Sequence, residues 1–334
     1  MTRYTAAHAN RQGPGDARPT ALQIIEDEQV RGKLKGKVIV VTGVSSGIGI
    51  ETVRALAATG ARLFLTARDP EKAKTVLTGI FEPDQMELFR MDQASLASVR
   101  AAARQILMQT DKINILVENA GIMAIQALEL TEDGYELQFA TNHLSHFLFF
   151  QLLRPALLAA VTPELSSRVV ILSSSGHQTG GINDSDSYNF ENGGYDPFAA
   201  YTQSKVANIY MANELERRYG SQGLHATSVH PGNIMTGLSR HIPESEIRAI
   251  LSSQDTNMTK SLKSPEQGAA TTVWAAVGKE WENRGGRYLS NCAEAGSALP
   301  GESSVTSSGY AKHAYNPDEE ARLWEDSLKL VGLS

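Results

Sequence analysis

The stretch Val38-Ile-Val-Val-Thr-Gly-Val-Ser-Ser-Gly-Ile-Gly49 restricts the possible folds more than any other part of the chain. Val38 to Val41 is an uninterrupted β-branched run, the pattern of a strand buried on both faces. Ile50 to Ala58 then sets apolar residues at helical spacing. Between them, Gly43, Gly47 and Gly49 remove side chains where the backbone must turn sharply and a ligand must come close. A helix starting at this turn points its unpaired N–H groups and positive dipole end at it, which suits a phosphate. Glycine turns also join strands to helices with no ligand, so the strand before and the helix after carry the dinucleotide reading.

From Lys37 onward, strand-like and helix-like segments alternate. Further strands are expected at Arg62 to Ala67, Met86 to Arg90, Ile113 to Val117, Arg168 to Leu172, Ala226 to His230 and Gly286 to Ser290. Helices are expected between them, including a long one over roughly Glu132 to Leu157 and another over Ala200 to Tyr219. This rhythm predicts an α/β fold: a Rossmann-type doubly wound parallel sheet of about seven strands with helices on both faces. The expected organisation is an N-terminal arm and short helix over residues 1–36, then one catalytic domain over 37–334. Met1 to Thr20, rich in Gly, Pro, Asn and Gln, reads as an extended or mobile arm. Leu22, Ile25 and Val30 among acidic residues read as a short amphipathic helix laid on the domain. Residues 177–196 break the alternation with Gly, Asn, Asp, Ser and Tyr, and a loop of that length in a small domain is usually functional. Residues 234–262, with Met235, Leu238, Ile242, Ile247, Ile250, Leu251 and Met258, read as ordinary packing or as a substrate lid.

Composition excludes several classes. With 334 residues, 41% hydrophobic and 20% charged, the chain has enough apolar content for a sizeable core. A formal charge of −6 and no basic block argue against a nucleic-acid partner. One cysteine, Cys292, excludes an intrachain disulfide framework and fits a reducing compartment. No apolar run is long enough to span a bilayer, and the N-terminus lacks a secretory core, so the expected location is cytoplasmic. His143 and His146 have no third ligand at matching spacing, and no metal is expected.

Tyr201 and Lys205 stand four residues apart on an expected helix and so share a face. A phenol with a pKa near ~10 is a poor acid–base group at neutral pH, and a nearby ammonium favours its ionised form. Lys205 is therefore expected to bring Tyr201 toward the range that proton transfer needs. The triplet Ser173-Ser-Ser175 is expected at the carboxyl end of a strand, where open α/β sheets place ligands and where a hydroxyl can stabilise a developing oxyanion; its register is open by one residue until the resemblance below picks Ser174.

Several motifs in order, from Lys37 to Leu289, resemble the short-chain dehydrogenase/reductase family in its shorter single-domain branch. They are Thr42-Gly-x-x-x-Gly-x-Gly49, Asn119-Ala-Gly121, Asn142, Ser174, Tyr201-x-x-x-Lys205 and Pro231-Gly232. Asn142-His-Leu-Ser-His146 and Ser204-Lys-Val-Ala-Asn208 look most like its retinol-dehydrogenase-like subgroup. The resemblance implies catalysis by Asn142, Ser174, Tyr201 and Lys205. In that scheme Tyr201 exchanges a proton with the carbonyl or alcohol oxygen, Lys205 holds the nicotinamide ribose, and Asn142 bends its helix and holds a relay water. It also implies cofactor contacts from Gly43, Ser45, Ser46, Gly47, Ile48, Gly49, Asp92, Asn119, Ala120, Gly121, Pro231, Gly232, Ile234 and Thr236, as well as from Tyr201 and Lys205. Asp92 could equally cap the next helix.

Cofactor choice has its own signal. Where an acidic residue would hold the ribose 2′-OH for NAD, the chain has Ala67 followed by Arg68, which suits a 2′-phosphate; Asp69 could pair with Arg68 or cap the next helix. NADP rather than NAD is expected. Glu118 departs from the family, which more often has a second Asn there. Ser174 and Tyr201 stand 27 residues apart, roughly double the separation in many members, and this places the insertion at 177–196 beside the site. The implied activity is NADP-dependent interconversion of an alcohol and a ketone or aldehyde on a medium-sized hydrophobic substrate. A dehydratase, isomerase or cyclase on the same scaffold, and a non-catalytic NADP-binding regulator, are the alternatives. A small-molecule substrate is the expected partner, and a homo-oligomer is possible through the two long helices.

Overall fold

A computed structural model describes residues 2–245, 248, 256–299, 301 and 307–334. The first βα unit is the expected one: β1 (Val38–Thr42) is buried throughout and feeds α3 (Ile48–Ala57). Before it come α1 (Thr5–Ala9) and α2 (Ala21–Asp27). After it the chain runs β2 (Arg62–Ala67), α4 (Pro70–Val76), β3 (Met86–Arg90), α5 (Leu96–Leu107) and β4 (Ile115–Glu118). Next are α6 (Leu137–Phe139), a π-helical turn (Ala140–Leu144), α7 (Ser145–Ala159), β5 (Ser167–Leu172), α8 (Pro197–Tyr219) and β6 (Leu224–His230). A short pair, β7 (Asn233–Ile234) and β8 (Leu262–Lys263), encloses α9 (Thr256–Ser261). Then come α10 (Pro265–Gly268), α11 (Ala270–Val277), β9 (Arg287–Ser290), β10 (Ala293–Glu294) and α12 (Pro317–Leu330).

The sheet order is β10-β9-β6-β5-β4-β1-β2-β3. All pairs are parallel except β9 with β10. The doubly wound fold is therefore as read, with one strand more than the seven expected, because a two-residue strand turns back at the β9 edge. Crossing over between β1 and β4 reverses the strand order, and the carboxyl ends there form the crevice in which such sheets bind ligands. Two cores cover the two faces. One unites Val40, Leu116 and Ile171 with α5, α7, α8 and α12; the other unites Ile39, Val41 and Val117 with α2, α3 and α11.

Three local expectations are corrected. The N-terminal segment is neither extended nor loose: Tyr4, Ala21, Ile24 and Ile25 join the second core. Arg18 is only 3% exposed, pairs with Asp16 and donates to the carbonyls of Gly13, Ser261 and Leu262. Polar residues that suggest a solvated arm are satisfied inside instead. In α2 the buried face is Ala21, Ile24 and Ile25, while Leu22 is exposed. The long central helix starts at Leu137 rather than near Glu132, because the Glu136 carboxylate accepts the N–H groups of Gln138 and Phe139 at 2.9 and 2.6 Å. Of the apolar residues read as a lid, Ile247, Ile250 and Leu251 lie outside the described residues; Met235 is exposed and Ile242 ends a 3₁₀ turn, Gly237–His241.

Candidate active site

Two glycines show why the opening loop tolerates nothing larger. Gly43 has φ of +73°, and a Cβ there would lie 2.6 Å from Ala120 Cα. A Cβ on Gly49 would lie 2.3 Å from the Gly43 carbonyl oxygen. The loop is pulled against the end of β4: Thr42 Oγ1 accepts the N–H groups of Asn119 and Ala120, and Asn119 Nδ2 donates to the carbonyls of Thr42 and Gly43. Gly121 stands close to Asn142 Oδ1 and Lys205 Nζ. The Asn119-Ala-Gly121 turn thus lies between the glycine loop and the helix that carries Lys205. Gly47 begins α3 with no side-chain cap, leaving first-turn N–H groups open as an anion site requires. Ser45 is half-buried and Ser46 exposed on the same loop.

Across the loop, Thr236 packs on Gly47, while Ile234 and Ile48 both crowd the position where Gly268 would carry a Cβ. The segment from Pro231 to Thr236 therefore forms the opposite wall. Lys263, 4% exposed, donates to the Pro231 carbonyl at 3.1 Å and lies against Gly232. Sequence reasoning passes over Lys263 because a lysine just past the expected lid segment gives no sign that it will be buried. At the other end, Arg68 is exposed after β2 and has no side-chain partner among the described residues. Asp69 is the N-cap of α4, its Oδ1 accepting Lys72 N–H at 3.0 Å, so it does not neutralise Arg68. Asp92 accepts from Ala94 N–H in a local turn, and the cap of α5 is Ser95.

The catalytic candidates converge on the first half of α8. Asp196 caps that helix through the N–H groups of Phe198 and Ala199, and Pro197 starts it. Four residues apart on its inner face, Tyr201 and Lys205 are 6% and 4% exposed, with Lys205 Nζ 5.5 Å from the phenol ring centroid. Ser173 Oγ donates to the Lys205 carbonyl, and Ser175 N–H donates to His230, so among the three serines it is Ser174 that stands beside Tyr201. Asn142 lies in the π-helical turn, where the widened backbone frees its side chain: Nδ2 donates to Ile122 O and Ser204 Oγ, and Oδ1 accepts Ile122 N–H. His146 bridges this turn to the glycine loop through Thr42, and His143 bonds Ser327, so both histidines serve packing. No group of three potential metal ligands occurs among the described residues.

The electrostatics correct one expectation. Burial pushes the Tyr201 phenol up to about 12, opposed by the Ser174 hydroxyl, and pulls Lys205 down to about 8. Desolvation outweighs the lowering expected from the lysine. Lys205 donates instead to the Leu172 carbonyl at 3.1 Å.

Insertion residues 177–196 wrap this region from outside. Tyr188 stacks on Phe139 at 5.1 Å, Tyr195 donates to the Ile125 carbonyl, and Thr179 bonds Thr202 one residue past Tyr201. A cavity of about 500 Å³ opens among Ile182, Asn183, Phe190, Gly193 and Ala199.

A dinucleotide crevice at the sheet's switch point, with a buried Tyr–Lys pair at its inner end, defines a nicotinamide-dependent oxidoreductase. Consistent with that class, residues 37–247 match the family model described as short chain dehydrogenase, and the chain belongs to that family. It is 48% identical over 332 residues to short-chain dehydrogenase/reductase prx1 of Penicillium roqueforti, covering 99% of this chain and 96% of that one. It is 44% identical to oxidoreductase calI of Penicillium decumbens, covering 100% of this chain and 98% of the relative. Among solved structures, an uncharacterized protein from Mycobacterium paratuberculosis superposes with a TM-score of 0.68 at 28% identity, covering 95% of this chain and 98% of that one. The protein is thus an NAD(P)-dependent oxidoreductase. No helix among the described residues is long and apolar enough to cross a membrane.

Proposed function

We propose that this enzyme uses NADP(H) to interconvert an alcohol and a ketone or aldehyde on a medium-sized apolar substrate, with Tyr201 as the acid–base group. The observation that carries the reading is the convergence of Ser174, Tyr201, Lys205 and Asn142 at the inner end of the glycine-loop crevice. The residues fit a dinucleotide: the glycines leave a cradle that any Cβ would fill, and the start of α3 is uncapped. Arg68, exposed and unneutralised, supports a 2′-phosphate. When bound, the nicotinamide supplies or takes the hydride.

Tyr201 gives its phenolic proton to the substrate oxygen as the carbonyl is reduced, and Ser174 donates a hydrogen bond to the same oxygen. Lys205 steadies the phenolate that results, and Asn142 fixes the turn that Gly121 lies against. The exposed apolar groups Met235 and Phe198 support an apolar substrate. A cytoplasmic location belongs to the same proposal. Replacing Tyr201 by Phe is expected to abolish turnover of a ketone and aldehyde panel while NADPH still binds, as followed by quenching of tryptophan fluorescence; retained turnover would overturn the assignment.

A further inference from the structure

Glu118 has no role in the chemistry above, yet it is the most unusually placed residue near it. It ends β4 at 0% exposure, and neither carboxylate oxygen has a protein hydrogen-bond partner. A lone buried carboxylate would cost several kcal/mol (on the order of the effective penalty for a desolvated ion), so the group is held as the neutral acid. Burial alone pushes it well above the usual carboxylate range.

Strand register locates the residue. Side chains alternate along β4, so Glu118 shares its face with Leu116, which lies in the core under α7 and α8. Across the sheet Glu118 pairs with Ile171, Ile171 with Ser228, and Ser228 with Tyr288. Val41 pairs with Val117, which brings Thr42 beside Glu118 on the other flank. One row of the sheet beneath α8 therefore carries Thr42, Glu118, Ser228 and Tyr288. The last three have side-chain oxygens without a protein partner. Above the row, Asn208 donates through Nδ2 to the Leu172 carbonyl at 2.9 Å, and its Oδ1 has no partner. Lys205 Nζ donates to that same carbonyl. His143 stands beside Asn208, close enough for a side-chain hydrogen bond between the two. Buried polar atoms left open in such number are ordinarily satisfied by internal water.

We propose that Glu118 is a further positioning residue of the active site, holding internal water with Asn208 and Ser228 beneath Lys205 and supplying that lysine with a proton. The inference rests on the reading of Tyr201 and Lys205 as the acid–base pair. When Tyr201 gives its proton to the substrate oxygen, the phenolate regains one from the Lys205 ammonium. The lysine amine then takes the Glu118 proton through the intervening water. This leaves a carboxylate facing an ammonium, a paired state that a buried carboxylate tolerates. Solvent returns the proton along the same water. The other titratable groups carried toward this layer are His143 and His146 from the π turn and α7, Tyr201 from α8 and Tyr288 from β9; the buried residues of α5 are all apolar.

Infrared spectroscopy of the full chain tests this without a known substrate. The wild-type protein at pH 7 should show a carboxylic-acid C=O stretch that shifts in D₂O and is lost in Glu118→Gln. Lys205→Met should carry that band to higher pH, because the cation that stabilises the carboxylate is gone; Lys205→Arg should not. Far- and near-ultraviolet circular dichroism confirms that each variant is folded. For any carbonyl of the panel that turns over, Glu118→Gln should lower kcat about tenfold, with an altered pH profile and unchanged KM for NADPH. Absence of the band in wild type, a band that does not exchange in D₂O, or a band whose titration ignores Lys205→Met each overturns the proposal. Such a failure leaves the Tyr201→Phe result untouched, so the two readings fail separately.

Discussion

At the scale of single residues, position relative to the sheet's carboxyl edge decides which polar groups do chemistry. Arg68 and Asp69 are neighbours in sequence but belong to different tasks. Asp69 spends its carboxylate on the first turn of α4, whereas Arg68 follows β2 with its guanidinium free among the described residues. A charge-assisted hydrogen bond to a phosphate is worth roughly 1.5–3 kcal/mol, on the order of ten- to a hundred-fold in affinity. Arg68→Asp is therefore expected to cut the NADPH/NADH ratio of kcat/KM by at least about tenfold. An unchanged ratio in a steady-state comparison of both cofactors would show that the 2′-phosphate is read elsewhere. Tyr201 and Lys205 illustrate the converse: their spacing is visible in the sequence, but the dominance of desolvation over their mutual influence emerges only with their burial.

Among the elements, the N-terminal segment has the most unexpected part. Arg18 ties it to the turn between α9 and α10 through backbone carbonyls, and Gln267, inside α10, donates to Asp16 and Arg18 carbonyls and accepts Gly15 N–H. Because β8 and Lys263 lie in that same turn, the arm braces the wall that carries Pro231 and Thr236. Arg18→Ala leaves several buried carbonyls without a donor, at about 1–3 kcal/mol for each that water cannot reach. We expect a loss of about 2 kcal/mol in urea denaturation and new cleavage by trypsin between Arg11 and Lys33 in limited proteolysis. Unchanged stability and an uncut arm would show the strap to be dispensable. Much else at this scale was legible, for physical reasons. Fully buried strands need unbroken apolar runs, and β1, β2 and β5 have them. A dinucleotide turn needs glycine where Gly43 and Gly49 stand. What was not legible depended on distant partners: the burial of Arg18, Lys263 and Glu118, the two-residue β10, and the start of α6, which the Glu136 cap sets against the helical pattern upstream.

For the molecule as a whole, buried histidines and carboxyls set the acid limit of the fold. Burial pulls His143 and His230 down to about 3 and His8, His146 and His177 down to about 4. Above pH ~6.5 these rings are neutral both folded and unfolded and contribute nothing to pH dependence. Below it the unfolded chain binds five protons that the native state refuses, so stability falls with pH. Two carboxyls act in the opposite direction. Glu136 is raised to about 6 and Glu118 well above its usual range, so the native state holds their protons where the unfolded chain, down to about pH 4.5, does not. Between about pH 6 and 4.5 the balance is about three protons in favour of unfolding, or about 4 kcal/mol per pH unit. Against a typical total of about 5–15 kcal/mol, that slope should bring the protein to the edge of unfolding near pH 5. Urea denaturation at half-unit steps from pH 7.5 to 5 should show stability rising by about 1 kcal/mol per pH unit as pH falls to about 6.5, because the native state alone holds the Glu118 proton, and then falling steeply. Glu118→Gln should steepen the fall by about one proton, since the native state no longer gains from protonating that carboxyl. A flat profile to pH 5 would mean that water reaches these histidines, and an unchanged slope in Glu118→Gln would mean that Glu118 is not held as the acid.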